Sequence, residues 1–344
     1  MIPVGASMSD SPHSAFRVPR SALDRRGFLR LGLAAGAGAL LRGAPAGAGA
    51  DRARVAVATG GKLFADDRTL RAESVRQLVD AAVGSVMGET NPAEAWKRLV
   101  RPDDVVGIKV NCLAGERLST RIEVVRAIAA AVANAGVPGN HIIVWDRYRN
   151  DLVRAQYPAS DRSRFLCMGN DDCRFEERLT MQGEIGSFFS RFATELCSVI
   201  INVPVFKDHD LAGVSLSLKS AFGAIHNPNK YHLGNLQQAI ADVNRVACLR
   251  RKTAIHICDA TFGCYHTGPT PKPQFIERLG TIFASRDPVA LDTVAWQKIE
   301  ELRKAHNLET LAGSKRDPRH IALAAEAHIG VNDPARIDVV KVEV

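Results

Sequence analysis

The sequence predicts an α/β fold, a predominantly parallel mixed sheet with helices on both faces. Short apolar runs typical of strands alternate along the chain with longer segments whose apolar residues recur every three or four positions, as in amphipathic helices. This alternation is typical of parallel sheets. With 344 residues, of which 46% are hydrophobic and 24% charged, the chain can bury a large core, which excludes a disordered or collagen-like protein.

The predicted strands are short and apolar. The run at residues 197–203 contains almost no polar residue, which is typical of a central strand of a parallel sheet. The strands are predicted at residues 54–58, 104–110, 141–146, 197–203, 253–258, 280–284 and 337–342.

The predicted helices connect these strands. In the first of them Val75, Leu78, Val79 and Val83 lie on one face, and in the third Gly136 ends the helix. The helices are predicted at residues 73–87, 92–99, 120–136, 236–250 and 289–302. The segments 147–192, 207–234 and 263–274 are less regular, and we expect them to be insertions at the carboxyl ends of the strands.

The first 50 residues are predicted to be a signal peptide, followed by an α/β domain at residues 51–344. Arg25 and Arg26 precede Phe28-Leu29 and an apolar segment rich in Gly and Ala, and small residues suited to signal peptidase follow. The apolar segment, about a dozen residues long, is too short for stable membrane insertion. The pattern resembles export signals read by the twin-arginine translocase, which implies a periplasmic or secreted protein. The alternative is an apolar N-terminal helix that carries the two arginines by chance.

Charge and cysteine spacing exclude two further classes. Residues 1–50 carry half of the net charge of +8, and the rest of the chain has neither a basic run nor zinc-finger spacing, so no nucleic-acid partner is expected. The seven cysteines include no C-x2-C motif, so the chain does not encode a ferredoxin-type cluster locally. The pairs Cys167/Cys173 and Cys258/Cys264 are open to disulfide formation or to free thiols.

Candidate functional residues follow the predicted strands, because ligands of α/β sheets bind beyond the carboxyl ends of the strands. A buried ion without a partner is costly, so charged residues at these positions indicate either a ligand or an internal ion pair. Substrate binding is predicted for Lys109, Asn111 and Asp287, although Asp287 also has the pattern of a helix N-cap. Catalytic roles are predicted for His209, Lys219 and Lys207.

Histidines in the same region offer a second chemistry. His209, His226, His232 and His266 are candidate ligands of a shared transition metal, since imidazole is a common metal ligand. No pair has a diagnostic spacing such as H-E-x-x-H, and surface or hydrogen-bonding roles are the alternative. No phosphate loop, dinucleotide-binding glycine motif or nucleophile elbow follows a strand, so hydrolase and nucleotide-binding folds have no local support.

Four blocks together resemble the bacterial and archaeal family called domain of unknown function 362. The blocks lie at residues 106–111, 201–209, 213–223 and 285–292, within a stretch from about Val105 to Trp296. The resemblance implies an association with redox chemistry, because many relatives couple this domain to ferredoxin-type iron–sulfur clusters. This chain lacks the ferredoxin cysteines, so a 4Fe-4S cluster of its own is not expected, and Ser220 follows Lys219 where relatives often have Asn.

A looser likeness is to α/β proteins of the nickel-pincer lactate racemase type. It implies proton transfer or metal binding by His209 and His232, and a cofactor or carboxylate contact by Lys219.

These observations predict an exported enzyme, dependent on a cofactor or metal, that acts on a small anionic substrate. The class is oxidoreductase-like or racemase-like, and neither substrate nor cofactor is fixed by the sequence. The alternative is a non-catalytic periplasmic accessory protein that holds an anion, a metal or a partner.

Overall fold

The structure, a computed structural model, describes residues 52–67, 69–158, 164–270 and 272–344. The predicted signal peptide lies outside the described residues. Within the described part of the chain, no helix has both the length and the apolar composition needed to cross a bilayer.

Twelve strands are described. They are β1 (Ala53–Thr59), β2 (Val106–Val110), β3 (Ile142–Asp146), β4 (Leu166–Gly169), β5 (Thr180–Gln182), β6 (Ile185–Ser187), β7 (Val199–Val203), β8 (Val205–His209), β9 (Gly213–Val214), β10 (Thr253–Cys264), β11 (Ile276–Ser285) and β12 (Ile337–Glu343).

Helices and short helical turns connect the strands. The helices are α1 (Ala72–Met87), α2 (Pro92–Lys97), α3 (Ile122–Asn134), α4 (Arg149–Arg154), α5 (Asn170–Cys173), α6 (Ser217–Ser220), α7 (Leu236–Arg245), α8 (Ala247–Lys252), α9 (Pro288–Ala305) and α10 (His320–Glu326). Single helical turns lie at Gly115–Leu118, Gly139–His141, Phe192–Leu196, Ala221–Ala224, Pro228–Tyr231, Pro273–Phe275 and Pro334–Arg336.

One large sheet organises the chain, and the predicted α/β class is confirmed. Its order is β12-β1-β11-β10-β7-β2-β3-β4, and β8 pairs with both β10 and β9. Along this order every neighbouring pair is parallel except the two that involve β11, which runs antiparallel to β1 and to β10. The strands β5 and β6 form a separate hairpin.

Helices cover both faces of the sheet, as predicted. Because side chains alternate along a strand, Val144 and Ile201 face one apolar core, which they share with Leu78 of α1 and residues of α3. Trp145 and Ile200 face the other core, formed with α7 and α9. Strands buried on both faces explain the continuous apolar runs in the sequence.

The antiparallel direction of β11 separates one predicted substrate-binding residue from the others. Asp287 follows β11, and since β11 runs against its neighbours, Asp287 lies at the opposite edge of the sheet from the ends of β2 and β7. Its carboxylate caps α9 by accepting hydrogen bonds from the amides of Val289 (2.8 Å) and Ala290 (2.9 Å), and it also accepts one from Val331 N (2.9 Å). Asp287 therefore caps α9, as the alternative interpretation of its sequence pattern predicts.

Candidate functional site

The carboxyl ends of β2, β3 and β7 bring the predicted residues together. Lys109 of β2 lies opposite Trp145 of β3 on one side and Asn202 of β7 on the other. Asn202 fixes the next segment, because its amide donates to Ser217 O (3.1 Å) and its Oδ1 accepts from the Ser220 hydroxyl (2.9 Å). The carboxyl ends of these three strands thus lie side by side, and Asn202 anchors α6 to them.

Lys109 forms a buried ion pair at this edge. Its Nζ lies 3.1 Å from Asp146 Oδ1 and donates to Val110 O (2.7 Å), while Asp146 Oδ2 accepts from Cys112 N (2.6 Å). A Cβ on Gly223 would lie 2.5 Å from Lys109 Nζ, so any larger residue there would displace the Lys109 side chain from this pair. The charge of Lys109 is therefore matched within the protein.

Lys207 is buried without such a pair. Its side chain is 1% exposed, and its Nζ donates to Asn111 Oδ1 (2.9 Å). Within the described residues no carboxylate lies at ion-pair distance from it. Burial lowers the pKa of Lys207 to about 8, an effect that the nearby Asp146 partly opposes.

Lys219 is the second buried lysine without an ion pair in the described chain. It lies on α6, whose first amides at Ser217 (2.8 Å) and Leu218 (2.9 Å) donate to the Asp292 carboxylate. Its Nζ lies 3.3 Å from His232 Nε2 and 4.4 Å from the centre of the Phe222 ring.

The surroundings of Lys219 disfavour its charged form. Burial, followed by the positive charges of Lys207, Lys109 and Arg147, lowers the pKa of Lys219 to about 7. The ring of Phe222 favours the ammonium by about 0.5–2 kcal/mol, less than the several kcal/mol that burial of an unpaired ion costs. We call Lys109, Lys207, Lys219 and Arg147 the cationic cluster.

His209 and His232 lie beside this cluster, with ring centres 5.9 Å apart. The Nδ1 of His209 accepts from the amides of Leu211 (3.1 Å) and Ala212 (3.2 Å), so the proton of the neutral ring is on Nε2. Burial, with a further contribution from the charge of Lys219, lowers the pKa of His209 to about 2. His209 is therefore a neutral hydrogen-bonding group at physiological pH.

His232 has the opposite tautomer. Its Nδ1 lies 3.1 Å from Pro228 O, which can only accept, so Nδ1 carries the proton and the Nε2 lone pair faces Lys219. Burial and the charge of Lys219 lower the pKa of His232. The pair is thus arranged for the transfer of a proton between Lys219 and His232.

Two residues of the site were not among the predicted candidates. His320, at the start of α10, is fully buried; its Nδ1 lies 2.8 Å from Gln237 Oε1, and its Nε2 has no hydrogen-bond partner in the described structure. Burial, then the charge of Lys219, lowers its pKa to about 3. Arg147 stacks on the Tyr148 ring at 4.7 Å, and its Nε also lacks a partner there. The position of Arg147 directly after β3 was a signal in the sequence, whereas His320 follows no strand.

The four histidines predicted to share a metal do not come together. His226 packs edge-on against Phe175, with ring centres 5.0 Å apart, and His266 against Phe275 at 4.6 Å. No group of three or more His, Cys, Asp or Glu side chains in the described residues is placed to hold a metal ion. The seven cysteines have free thiols, six of them buried.

A cleft of about 310 Å³ reaches His232, whereas the four residues of the cationic cluster do not line it. The ring of His232 forms part of its wall, together with Leu211, Leu236, Gln237 and Leu323. This volume is at the lower end of the range for small-molecule sites, about 300–1,000 Å³. The cleft gives a small molecule access to His232, whose Nε2 lies 3.3 Å from Lys219 Nζ.

The lowered pKa of Lys219 predicts a stability effect with a defined sign. The folded state disfavours the ammonium, so the penalty is complete below about pH 7 and disappears as pH rises towards 10.5, the ordinary value. We expect Lys219→Met to raise the free energy of unfolding at pH 7 by about 1 kcal/mol or more. The substitution should also reduce the increase in the free energy of unfolding between pH 7 and 10.5. Part of that increase should remain, because burial also lowers the pKa of Lys207.

Urea unfolding across this pH range measures both effects. The control is Lys230→Met, because Lys230 is exposed on the loop that leads to His232. If Lys219→Met and the control have the same free energy of unfolding and the same dependence of it on pH, burial of the Lys219 ammonium does not destabilise the fold.

Comparison with known proteins identifies the family. No curated protein matches the chain. The sequence model of the family described as Domain of unknown function (DUF362) matches residues 106–297, which include β2 to β11, the whole cationic cluster and most of α9. The chain therefore belongs to the DUF362 family.

Proposed function

We propose that this protein is an enzyme whose cationic cluster binds a small anion carrying a carboxylate or a phosphate. The observation that carries the proposal is the burial of Lys207 and Lys219 with no carboxylate paired to either of them in the described chain. Because Asp146 is already engaged by Lys109 and Cys112, an anion between Lys207 and Lys219 would supply the missing countercharge.

Two further hydrogen-bond donors, Arg147 and His209, support the same proposal. The Arg147 guanidinium offers a planar donor suited to carboxylate and phosphate, and its Nε has no partner in the described structure. His209, with its proton on Nε2, offers a neutral donor next to Lys219. Both donors would add hydrogen bonds to an anion bound between Lys207 and Lys219.

Proton transfer is the catalytic step that the geometry favours. The Nζ of Lys219 and the Nε2 of His232 lie 3.3 Å apart, and burial keeps the pKa of Lys219 near neutrality. A group with such a pKa can both accept and release a proton at physiological pH. We propose that Lys219 exchanges a proton with the bound substrate and that His232 passes it to the cleft.

A metal or iron–sulfur cluster held by this chain is not part of the proposal. The described His, Cys, Asp and Glu side chains do not converge in groups of three, so the described residues do not fit such a group.

Anion binding is tested by differential scanning fluorimetry of the full chain with oxalate and with inorganic phosphate. We expect the wild type to be stabilised by at least one of them, since a ligand bound only by the folded state raises the melting temperature. Lys219→Met should lose at least about 90% of the affinity, and Lys230→Met should keep it. Absence of stabilisation of the wild type by both anions, or equal stabilisation of Lys219→Met, would contradict the proposal.

We further propose that the protein reaches the periplasm through the twin-arginine translocase. The support is the sequence of residues 25–41, where paired arginines precede a short apolar segment. Replacing the pair (Arg25→Lys with Arg26→Lys) should leave the full-length precursor in the cytoplasm, as judged by fractionation and immunoblotting. Arg42→Lys, a charge-matched change beyond the apolar segment, is the control and should be exported. Export of the paired variant at the rate of this control would refute the route.

A further inference from the structure

We propose that Lys219 is a nucleophile that forms an imine with the carbonyl group of a small carboxylate, such as a 2-oxo acid. This inference rests on the proposed anion site and adds a covalent step to it. It concerns Lys219 alone among the lysines of the cationic cluster, and the surroundings of the three lysines explain why.

The other two lysines are held by the protein. Lys109 Nζ is ion-paired with Asp146 and covered by the backbone of Gly223. Lys207 Nζ donates to Asn111 Oδ1, and its side chain is 1% exposed. Neither residue lines the cleft, and the hydrogen bonds of both amines go to residues that do not line it either.

Lys219 differs because its neighbour lines the cleft. Its Nζ lies 3.3 Å from Nε2 of His232, and the ring of His232 is part of the cleft wall. A ligand in the cleft can therefore contact His232, and Nε2 of this residue adjoins the amine of Lys219.

The surroundings of Lys219 also favour the free amine, which is the reactive form. No carboxylate in the described chain offsets its charge, and the charges that act on it are all positive. Desolvation next to other cations is the established way to activate a lysine amine, and it takes the pKa of Lys219 to about 7. The titratable and charged groups around Lys219 are Lys109, Lys207, Arg147, His209, His232 and His320.

The step balances without an oxidant or a reductant. The amine lone pair attacks the carbonyl carbon, and a C–N bond forms as the carbonyl π electrons move to oxygen, which gives an ammonium alkoxide. His232 Nε2 takes a proton from the new ammonium nitrogen and passes it to this oxygen, which gives a carbinolamine. A second proton, taken up from solvent through His232, converts the hydroxyl group to water, which leaves as the nitrogen lone pair forms the C=N bond. The product is a protonated C=N bond, whose charge draws electrons from the neighbouring carbon, while Lys207 and Arg147 hold the carboxylate.

Reductive trapping tests the imine. The full chain is incubated with glyoxylate, the smallest carboxylate with a reactive carbonyl, and sodium cyanoborohydride, and the product is followed by intact mass and peptide mapping. We expect one addition, on the peptide that contains Lys219, at a rate at least about tenfold above that of the exposed Lys230. Lys219→Arg, which keeps the charge but cannot form the imine, should lose this addition, and Lys230→Arg should keep it.

Oxalate, which carries carboxylates but no electrophilic carbonyl, separates this inference from the proposed anion site. Stabilisation of the wild type by oxalate without selective labelling of Lys219 would overturn the imine and leave the anion site standing. Absence of selective labelling, together with absence of stabilisation by both oxalate and phosphate, would overturn both proposals. Labelling of Lys219 that excess oxalate blocks supports both, and this measurement on the wild type decides the question even if Lys219→Arg fails to fold. Labelling of Lys219 and Lys230 at equal rates counts against the imine.

Discussion

The constraint on which the site depends is electrostatic: three lysine amines are buried at one edge of the sheet, and within the described chain one of them has a carboxylate partner. Lys109 and Asp146 neutralise each other at 3.1 Å. Lys207 and Lys219 do not have this compensation, and burial lowers the pKa of both. An unpaired buried ammonium lowers the free energy of unfolding. Binding of a ligand therefore explains the two lysines more readily than a contribution to the stability of the fold.

The scaffold keeps these amines in place through backbone contacts. Asp292, on α9, receives the first two amides of α6 and so orients the short helix that carries Lys219. Asn202 connects the same helix to β7, and Ser220 donates to Asn202 Oδ1. The residues that carry charge and those that hold α6 therefore belong to different parts of the chain, which makes their roles separable by mutation.

The sequence predicted the part of the site that depends on parallel strand ends. Lys109, Asn111, Lys207 and His209 were identified because each follows or ends an apolar run, and the parallel pairing of β2 with β7 brings these ends to one edge. The same reasoning did not locate Asp287, since an apolar run does not reveal the direction of its strand and the antiparallel β11 ends at the opposite edge.

The remaining errors concern contacts between segments distant in the chain. His320 reaches the site because α10 packs on α7, where its ring meets Gln237, and no local pattern records that packing. The predicted metal site required four histidines from irregular segments to lie close together. The structure instead surrounds His226 and His266 with separate aromatic groups, while His209 and His232 stay together.

The central claim, an uncompensated ammonium that awaits an anion, is tested most directly by carbon NMR of the protein labelled with ¹³C at the lysine Cε. The account predicts that the Lys219 signal titrates with a midpoint near pH 7 in the free protein. Addition of oxalate should raise that midpoint by about one unit or more, because a nearby negative charge favours the ammonium. A midpoint near the ordinary lysine value of 10.5, unchanged by oxalate, would contradict the account.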